Sequence, residues 1–191
     1  MKIIAFISTL LLVVSALEDR LRMTLIGDFG DIDALQEAEK AFDVIDKFYE
    51  ENPFDFFVTL GDNVYYTGID SPDDPRFNRM YKLFTDRENL KDLDVYGTLG
   101  NHDCYGNPQA EVDVSSKPDN HWIMEGLGYS KAFEIDGDQS NGPELGLIVL
   151  NGCQLVCLSE APEEQCDDID HSDERGEAEY RKVEEQAKAL R

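Results

Sequence analysis

Three short apolar runs that end abruptly in a glycine and a polar residue constrain the fold of this 191-residue chain more than any other feature. Runs of this length, bounded by turn residues, are typical of buried β-strands. The strands are predicted at Leu21–Ile26, Phe54–Leu60 and Val95–Leu99, and they end at Gly27-Asp28, Gly61-Asp62 and Gly100-Asn101.

Helical segments separate these strands. Over Ala34–Glu51 apolar residues recur at the three-to-four residue spacing of one helix face, and Asn52-Pro53 ends the segment because proline cannot continue the helical hydrogen bonds. A second helix is predicted around Phe77–Phe84. Strands that alternate with helices indicate an α/β fold with a parallel sheet. In such sheets ligands bind beyond the carboxyl ends of the strands, and all three polar turns fall there.

The remaining sequence predicts a different arrangement. It contains two strands, Tyr129–Ile135 and Leu145–Leu150, that are joined by a turn at 136–143. An acidic loop, Ser159–Asp173, and a charged helix, Glu174–Arg191, follow. No internal repeat is found. We expect a second, smaller sheet that follows the parallel one.

The formal net charge of −24 limits the possible partners. It argues against nucleic acids and anionic membrane surfaces, because both would repel the chain. A phosphate substrate is also an anion, so phosphate chemistry here requires a strong local positive charge. The 17 lysines and arginines are scattered along the chain, and bound metal ions would supply this charge better.

The first residues predict a signal peptide over 1–16. Lys2 precedes an apolar run, Ile3–Val14, and small residues follow at Ser15 and Ala16. The run is shorter than the ~20 residues that span a bilayer. An uncleaved anchor and a buried first strand are the alternatives. We expect a secreted or lumenal protein whose mature domain covers 17–191.

The four cysteines agree with such a compartment. Their even number is consistent with two disulfides, and four cysteines allow three pairings among which the sequence does not choose. The cysteines are Cys104, Cys153, Cys157 and Cys166.

The side chains that follow the three strands form a candidate metal site. One edge of the sheet would bring together the side chains of Asp28, Asp62, Tyr65, Asn101 and His102. Two neighbouring aspartates repel each other without a counter-charge, and hard oxygen ligands favour a di- or trivalent cation. A tyrosinate ligand implies a strong Lewis acid, because free tyrosine ionises only near pH ~10. Ferric iron meets this requirement better than magnesium or calcium does.

Three motifs in this order resemble the purple acid phosphatases, most closely the tartrate-resistant, single-domain type within the calcineurin-like phosphoesterases. The motifs are GDFG at 27–30, GDNVYYTG at 61–68 and GNHD at 100–103. Tyr65, three residues after Asp62, separates this family from most other calcineurin-like phosphoesterases. The resemblance continues through Cys104–Pro108 and Trp122–Phe133, and it covers roughly residues 21–158.

The resemblance implies a fold, an activity and a role for each site residue. The fold is an α/β metallophosphoesterase β-sandwich flanked by helices, and the activity is hydrolysis of phosphate monoesters on small substrates in a secretory or lysosome-like compartment. Asp28 and Tyr65 would bind Fe(III), and Asp62 would bridge it to a second ion. Asn101 would bind that ion, which would be iron, zinc or manganese. His102 would lie beside the phosphate.

The chain departs from this family in its histidines. The resemblance implies three further histidine ligands in two later motifs, whereas the chain has only His102, His121 and His171. We expect His121 to make ordinary hydrogen bonds and His171 to belong to the acidic loop. We therefore expect the later motifs to lie beyond Arg191 and the fold to be incomplete at the C-terminus. Two alternatives to a phosphomonoesterase are open. One is a phosphodiesterase or nucleotide hydrolase, and the other is a catalytically silent metal-binding protein. The sequence also leaves the oligomeric state open.

Overall fold

The computed structural model describes residues 21–134, 145–153, 181–182, 184–185 and 187–188. The predicted signal peptide, the turn at 136–143 and the acidic loop at 159–173 lie outside these residues. Every described residue between 181 and 188 is helical, as predicted for Glu174–Arg191. None of the described helices is long and apolar enough to cross a membrane.

The first sheet has four parallel strands in the order in which they occur along the chain. They are β1 (Met23–Ile26), β2 (Phe56–Thr59), β3 (Asp94–Tyr96) and β4 (Trp122–Ile123). Three helices connect them, α1 (Leu35–Glu51), α2 (Pro75–Thr85) and α3 (Pro108–Val114), and a 3-10 turn at Asp103–Tyr105 precedes α3. Every residue of β2 is buried, because this strand lies between neighbours within the sheet and between packed layers on both faces.

Aromatic side chains attach the helices to one face of this sheet. The Phe42 ring on α1 is fully buried, with its centroid 4.8 Å from that of Phe84 on α2 and 6.4 Å from that of Phe57 on β2. The Phe57 and Phe84 rings meet edge to face at 5.0 Å. This arrangement is favourable for aromatic quadrupoles beyond the area that the rings bury.

The opposite face of β2 is covered by a second sheet. Strands β5 (Tyr129–Phe133) and β6 (Leu145–Val149) pair antiparallel. The Phe133 ring stacks on Phe56 with centroids 4.6 Å apart, and the Tyr129 hydroxyl donates to the Gly97 carbonyl at 2.9 Å. Phe56 and Phe57 point to opposite faces, as successive residues of a strand do. The described residues therefore form a helix layer, a parallel sheet and a small antiparallel sheet.

The α/β fold class predicted from the sequence is confirmed, together with each predicted strand and helix in the described residues. The sequence analysis missed α3 and β4, which have seven and two residues. Elements this short contain too few residues to show the repeat on which the predictions depended.

Replacement of Phe42 by alanine tests the aromatic layer between the helices and the sheet. We expect Phe42→Ala to lower the free energy of unfolding by about 3–5 kcal/mol, because it leaves a cavity among rings that cannot fully collapse. Urea unfolding measures this loss. Val44→Ala on the same helix is the control, since Val44 is 67% exposed, and it should change the free energy by less than ~0.5 kcal/mol. A loss below ~1 kcal/mol in Phe42→Ala would contradict this packing.

Candidate metal centre

The loops that follow β1 and β2 are joined by main-chain hydrogen bonds. Asp28 N donates to the Gly61 carbonyl at 3.2 Å, and Gly30 N donates to the Asp62 carbonyl at 3.2 Å. Asp28 and Asp62 have φ angles of 56° and 54°, in the left-handed region that aspartate tolerates better than most residues. The two aspartates thus occupy equivalent positions at the same end of neighbouring strands.

The loop after β3 packs closely against the loop that carries Asp62. A side-chain carbon on Gly61 would lie 2.3 Å from Gly100 N, and one on Gly100 would lie 2.2 Å from Asp62 Oδ1. Only glycine permits this approach of the two main chains. The contact allows His102 N to donate to Asp62 Oδ1 at 3.1 Å.

Tyr65 brings the first two loops to a common point. Its hydroxyl oxygen lies 2.7 Å from Asp28 Oδ1 and 2.7 Å from Asp62 Oδ2. A phenol has one proton and can donate to only one carboxylate at a time. Three oxygens therefore converge with a single proton between them, and two of the three carry formal negative charge.

This arrangement fits a cation. Partial burial and the two carboxylates raise the pKa of Tyr65 above its usual value, because both disfavour the phenolate. A bound di- or trivalent cation inverts that effect, since it stabilises the phenolate and offsets the repulsion between the carboxylates. Two carboxylates and a phenolate are hard oxygen donors, the type that such cations prefer. The side chains of Asp28, Asp62 and Tyr65 therefore fit one ion.

His102 adjoins this group of oxygens. Its ring centroid is 4.3 Å from that of Tyr65, and its Nδ1 lies 2.8 Å from the main-chain carbonyl oxygen of Tyr66. A carbonyl oxygen only accepts hydrogen bonds, so Nδ1 carries the proton. In the neutral ring Nε2 is then the nitrogen without a proton, and it is free to act on a ligand.

Asn101 lies on the same loop as His102. Its side-chain amide donates to the Tyr105 hydroxyl at 3.5 Å, and the Tyr105 ring centroid is 5.4 Å from that of His102. Hydrogen bonds and ring contacts thus bring together Asp28, Asp62, Tyr65 and His102. An ion site in the described part of the chain depends on the Tyr65 oxygen, because no three His, Cys, Asp or Glu side chains there form a metal-binding group.

His121 lies away from the site. Its Nδ1 is 3.1 Å from Asp94 Oδ1, and Asp94 is the first residue of β3, at the end of the sheet opposite the site. The main-chain N–H of His121 donates to the Tyr81 hydroxyl at 2.9 Å. The expectation that this residue makes ordinary hydrogen bonds is confirmed. His171 lies outside the described residues.

A disulfide anchors the third loop to the second sheet. Cys104 pairs with Cys153, 49 residues later and just beyond β6. This is one of the pairings that the sequence left open, and Cys157 and Cys166 lie outside the described residues. The bond attaches the segment that carries His102 to a second layer of the protein.

A buried polar cluster beneath the loops was missed by the sequence analysis. It consists of Asn63, Asp103 and Glu111, each at most 1% exposed. Asp103 could have been recognised as part of the GNHD motif. Glu111 carries a weaker signal, since it shares the inner face of α3 with Ala110 and Val114, where an apolar residue is usual.

Comparison with known proteins places these features in a family. A model of the calcineurin-like phosphoesterases matches residues 21–186. Tartrate-resistant acid phosphatase type 5 of Mus musculus is 31% identical over 121 residues, which are 60% of this chain and 36% of that protein. Purple acid phosphatase 17 of Arabidopsis thaliana is 32% identical over 115 residues, 60% of this chain and 32% of that protein. The chain thus spans about a third of the length of the curated relatives that it matches.

A solved structure shows a more distant similarity. It is that of GAP50, the anchor in the inner membrane complex of Plasmodium, with a TM-score of 0.49 and 18% identity. The matched region covers 77% of this chain and 46% of the Plasmodium chain.

Removal of the Tyr65 hydroxyl tests its position between the two carboxylates. In the metal-free protein we expect Tyr65→Phe to lower the free energy of unfolding by about 1 kcal/mol, because a hydrogen bond to charged acceptors is lost at a partly exposed site. Urea unfolding measures the change. Tyr66→Phe is the matched control, because Tyr66 is 58% exposed, and it should alter stability by less than ~0.5 kcal/mol. Equal effects of the two substitutions would contradict the geometry.

Proposed function

The chain belongs to the calcineurin-like phosphoesterase family, and on this basis we propose that its function is the hydrolysis of phosphate monoesters at a dinuclear metal centre. The observation that carries the proposal is the Tyr65 hydroxyl, which lies 2.7 Å from carboxylates on two neighbouring strand ends. The relatives named as acid phosphatases support the same chemistry.

The chain's oxygen donors divide between two ions in this proposal. Asp28 and Tyr65 would hold Fe(III), Asp62 would serve both ions, and Asn101 would bind the second ion, which would be iron, zinc or manganese. When bound, such ions neutralise phosphate oxygens and lower the pKa of water to about 7. They also supply the positive charge that a chain of net charge −24 needs to bind an anionic ester.

His102 is the proposed catalytic side chain. The Tyr66 carbonyl holds the proton on Nδ1, 2.8 Å away, and thereby fixes the orientation of the ring. The free Nε2 then accepts a hydrogen bond from the substrate, or in the protonated ring donates one to a phosphate or leaving-group oxygen. The main-chain N–H of His102 donates to Asp62 Oδ1 at 3.1 Å, so the residue that carries this ring is attached to a proposed metal ligand.

A second candidate function is metal binding without turnover. Its support is the position of His121, which contacts Asp94 at the opposite end of the sheet and supplies no ligand to the site. With His102 assigned to the substrate, Asp62 and Asn101 are the ligands that the described residues offer to the second ion. A site with only two protein ligands binds such an ion weakly, because water fills most of its coordination positions.

The proposed location is the secretory pathway or the lysosomal lumen, and the proposed substrates are small phosphorylated molecules. The Cys104–Cys153 disulfide supports this location, because such bonds form and persist in oxidising compartments. The net charge of −24 argues against nucleic acids as substrates.

Ferric iron provides a direct test of the ion site proposed at Asp28 and Tyr65. We expect the protein to bind Fe(III) and to become violet through charge transfer from the Tyr65 phenolate, with release of the phenol proton on binding. Absorption spectroscopy during an iron titration measures the band. Tyr65→Phe should abolish it, whereas Tyr66→Phe and Tyr105→Phe should retain it. A colourless iron complex, or a band that survives Tyr65→Phe, would refute the ligand assignment.

Orthophosphate added to the iron-loaded protein tests the substrate class. We expect phosphate to shift the charge-transfer band, because it joins the coordination sphere of the ion to which Tyr65 is bound. Sulfate at the same concentration and ionic strength is the control and should shift it far less. An identical response to both anions would argue against a site for phosphate esters.

Turnover measurements distinguish the two candidate functions. With added Fe(III) and Zn(II), we expect the protein to hydrolyse p-nitrophenyl phosphate. We expect Asp62→Ala to lower the rate by at least ~100-fold, because losing a shared ligand costs no less than losing a residue that only supports a ligand. Turnover that is lost in Asp62→Ala would exclude metal binding without turnover, and iron binding with no turnover would favour it. Residual activity that persists in Asp62→Ala would instead indicate a contaminating phosphatase.

A further inference from the structure

Asp103 ties the second and third loops of the site together from below. Its Oδ1 accepts from Asn63 N at 2.9 Å and Val64 N at 3.1 Å, and its Oδ2 accepts from Gly100 N at 2.8 Å. Asn63 and Val64 lie between Asp62 and Tyr65 in the chain. One fully buried carboxyl therefore fixes the main chain on both sides of the candidate ligands.

Glu111 supports this carboxyl from α3. Its Oε2 accepts from Asn63 Nδ2 at 3.0 Å, the same group that lies 3.3 Å from Asp103 Oδ2. Asn63 Nδ2 therefore joins the Glu111 and Asp103 carboxyls, and it also donates to the Thr98 carbonyl at 2.7 Å.

The two carboxyls are buried together without a cation. Burial raises the pKa of Glu111 well above its usual value, and the neighbouring Asp103 carboxyl raises it further. In the part of the chain that the structure describes, no Lys, Arg or His side chain forms an ion pair with either carboxyl. The hydrogen bonds from Asn63 and from the main chain are therefore what holds this pair in place.

We propose that Glu111 is a positioning residue for the candidate metal site, holding the loops that carry Asp62, Tyr65 and His102 through the Asn63 side chain, which also contacts Asp103. This role rests on the proposed function of the site. Glu111 lies eight residues beyond Asp103 and contacts none of the proposed ligands, so it acts only through other residues.

Packing alone does not account for a carboxyl at this position. An apolar side chain of similar size would fill the inner face of α3 without the cost of burying a polar group. Glu111 Oε1 and Asn63 Oδ1 are buried without a hydrogen-bond partner, so the cluster is not optimised for stability. What the carboxyl does provide is a hydrogen bond to the Asn63 amide, which also contacts Asp103 Oδ2 and the Thr98 carbonyl.

Two substitutions of Glu111 separate positioning from packing. Glu111→Gln keeps the shape, and its amide oxygen can accept from Asn63. Glu111→Leu fills the space and cannot accept this bond. Leu90→Ala is the control for general destabilisation, since Leu90 is fully buried and precedes β3, at the end of the sheet away from the site.

Amide hydrogen exchange of the metal-free protein is the first measurement. We expect the amides of Asn63, Val64 and Gly100, which all donate to Asp103, to exchange ~10-fold faster or more in Glu111→Leu, as the loss of a buried hydrogen bond implies. In Glu111→Gln these amides should exchange within about twofold of the wild-type rate. Leu90→Ala should accelerate exchange throughout the chain without singling out these three amides.

Iron affinity is the second measurement. We expect Glu111→Leu to weaken Fe(III) binding by ~10–100-fold, the usual effect of losing support behind a ligand, and Glu111→Gln to retain it. Unchanged exchange and affinity in Glu111→Leu, or equal losses in both variants, would overturn the proposal. If the wild-type protein binds no iron, the proposed function fails, while the exchange rates still decide whether Glu111 positions the loops.

Discussion

The Tyr65 hydroxyl, shared between two carboxylates at 2.7 Å, is the interaction on which the account of this protein depends. Without a cation, one proton must compensate for two negative charges, and the pKa of the phenol rises in response. With a cation, the same three oxygens become a ligand set. The geometry that disfavours the phenolate in the metal-free protein is therefore a geometry that suits the proposed ferric ion.

The fold produces this geometry by bringing three strand ends to one edge of a parallel sheet. Close contact of the Gly61 and Gly100 main chains brings the second and third loops together. The Cys104–Cys153 disulfide attaches the third loop to the antiparallel sheet. The buried Asp103 accepts main-chain hydrogen bonds from both loops. The aromatic layer behind the sheet supports them, so ligand geometry and core packing are parts of one structure.

Much of the site was predictable from sequence because its signals are local. A strand that stops at Gly-Asp determines where the aspartate lies, and the three-residue spacing from Asp62 to Tyr65 places both side chains on one turn. The parallel arrangement followed from the alternation of strands with a helix such as Ala34–Glu51.

The features that the sequence did not reveal depend on contacts between distant residues. Glu111 meets Asn63 across 48 positions, and Cys104 meets Cys153 across 49. Neither contact follows from a repeat or a motif, because each exists only once the sheet has formed. The two-residue strand β4 likewise owes its structure to pairing with β3 and shows no periodicity of its own.

Anomalous X-ray diffraction at the iron edge, from crystals grown with Fe(III), tests the central claim most directly. The account predicts an anomalous peak within bonding distance of the Tyr65 oxygen and of carboxylate oxygens from Asp28 and Asp62. A peak confined to other carboxylates, such as those of the acidic loop at 159–173, with none beside Tyr65, would show that the three oxygens do not form a metal centre.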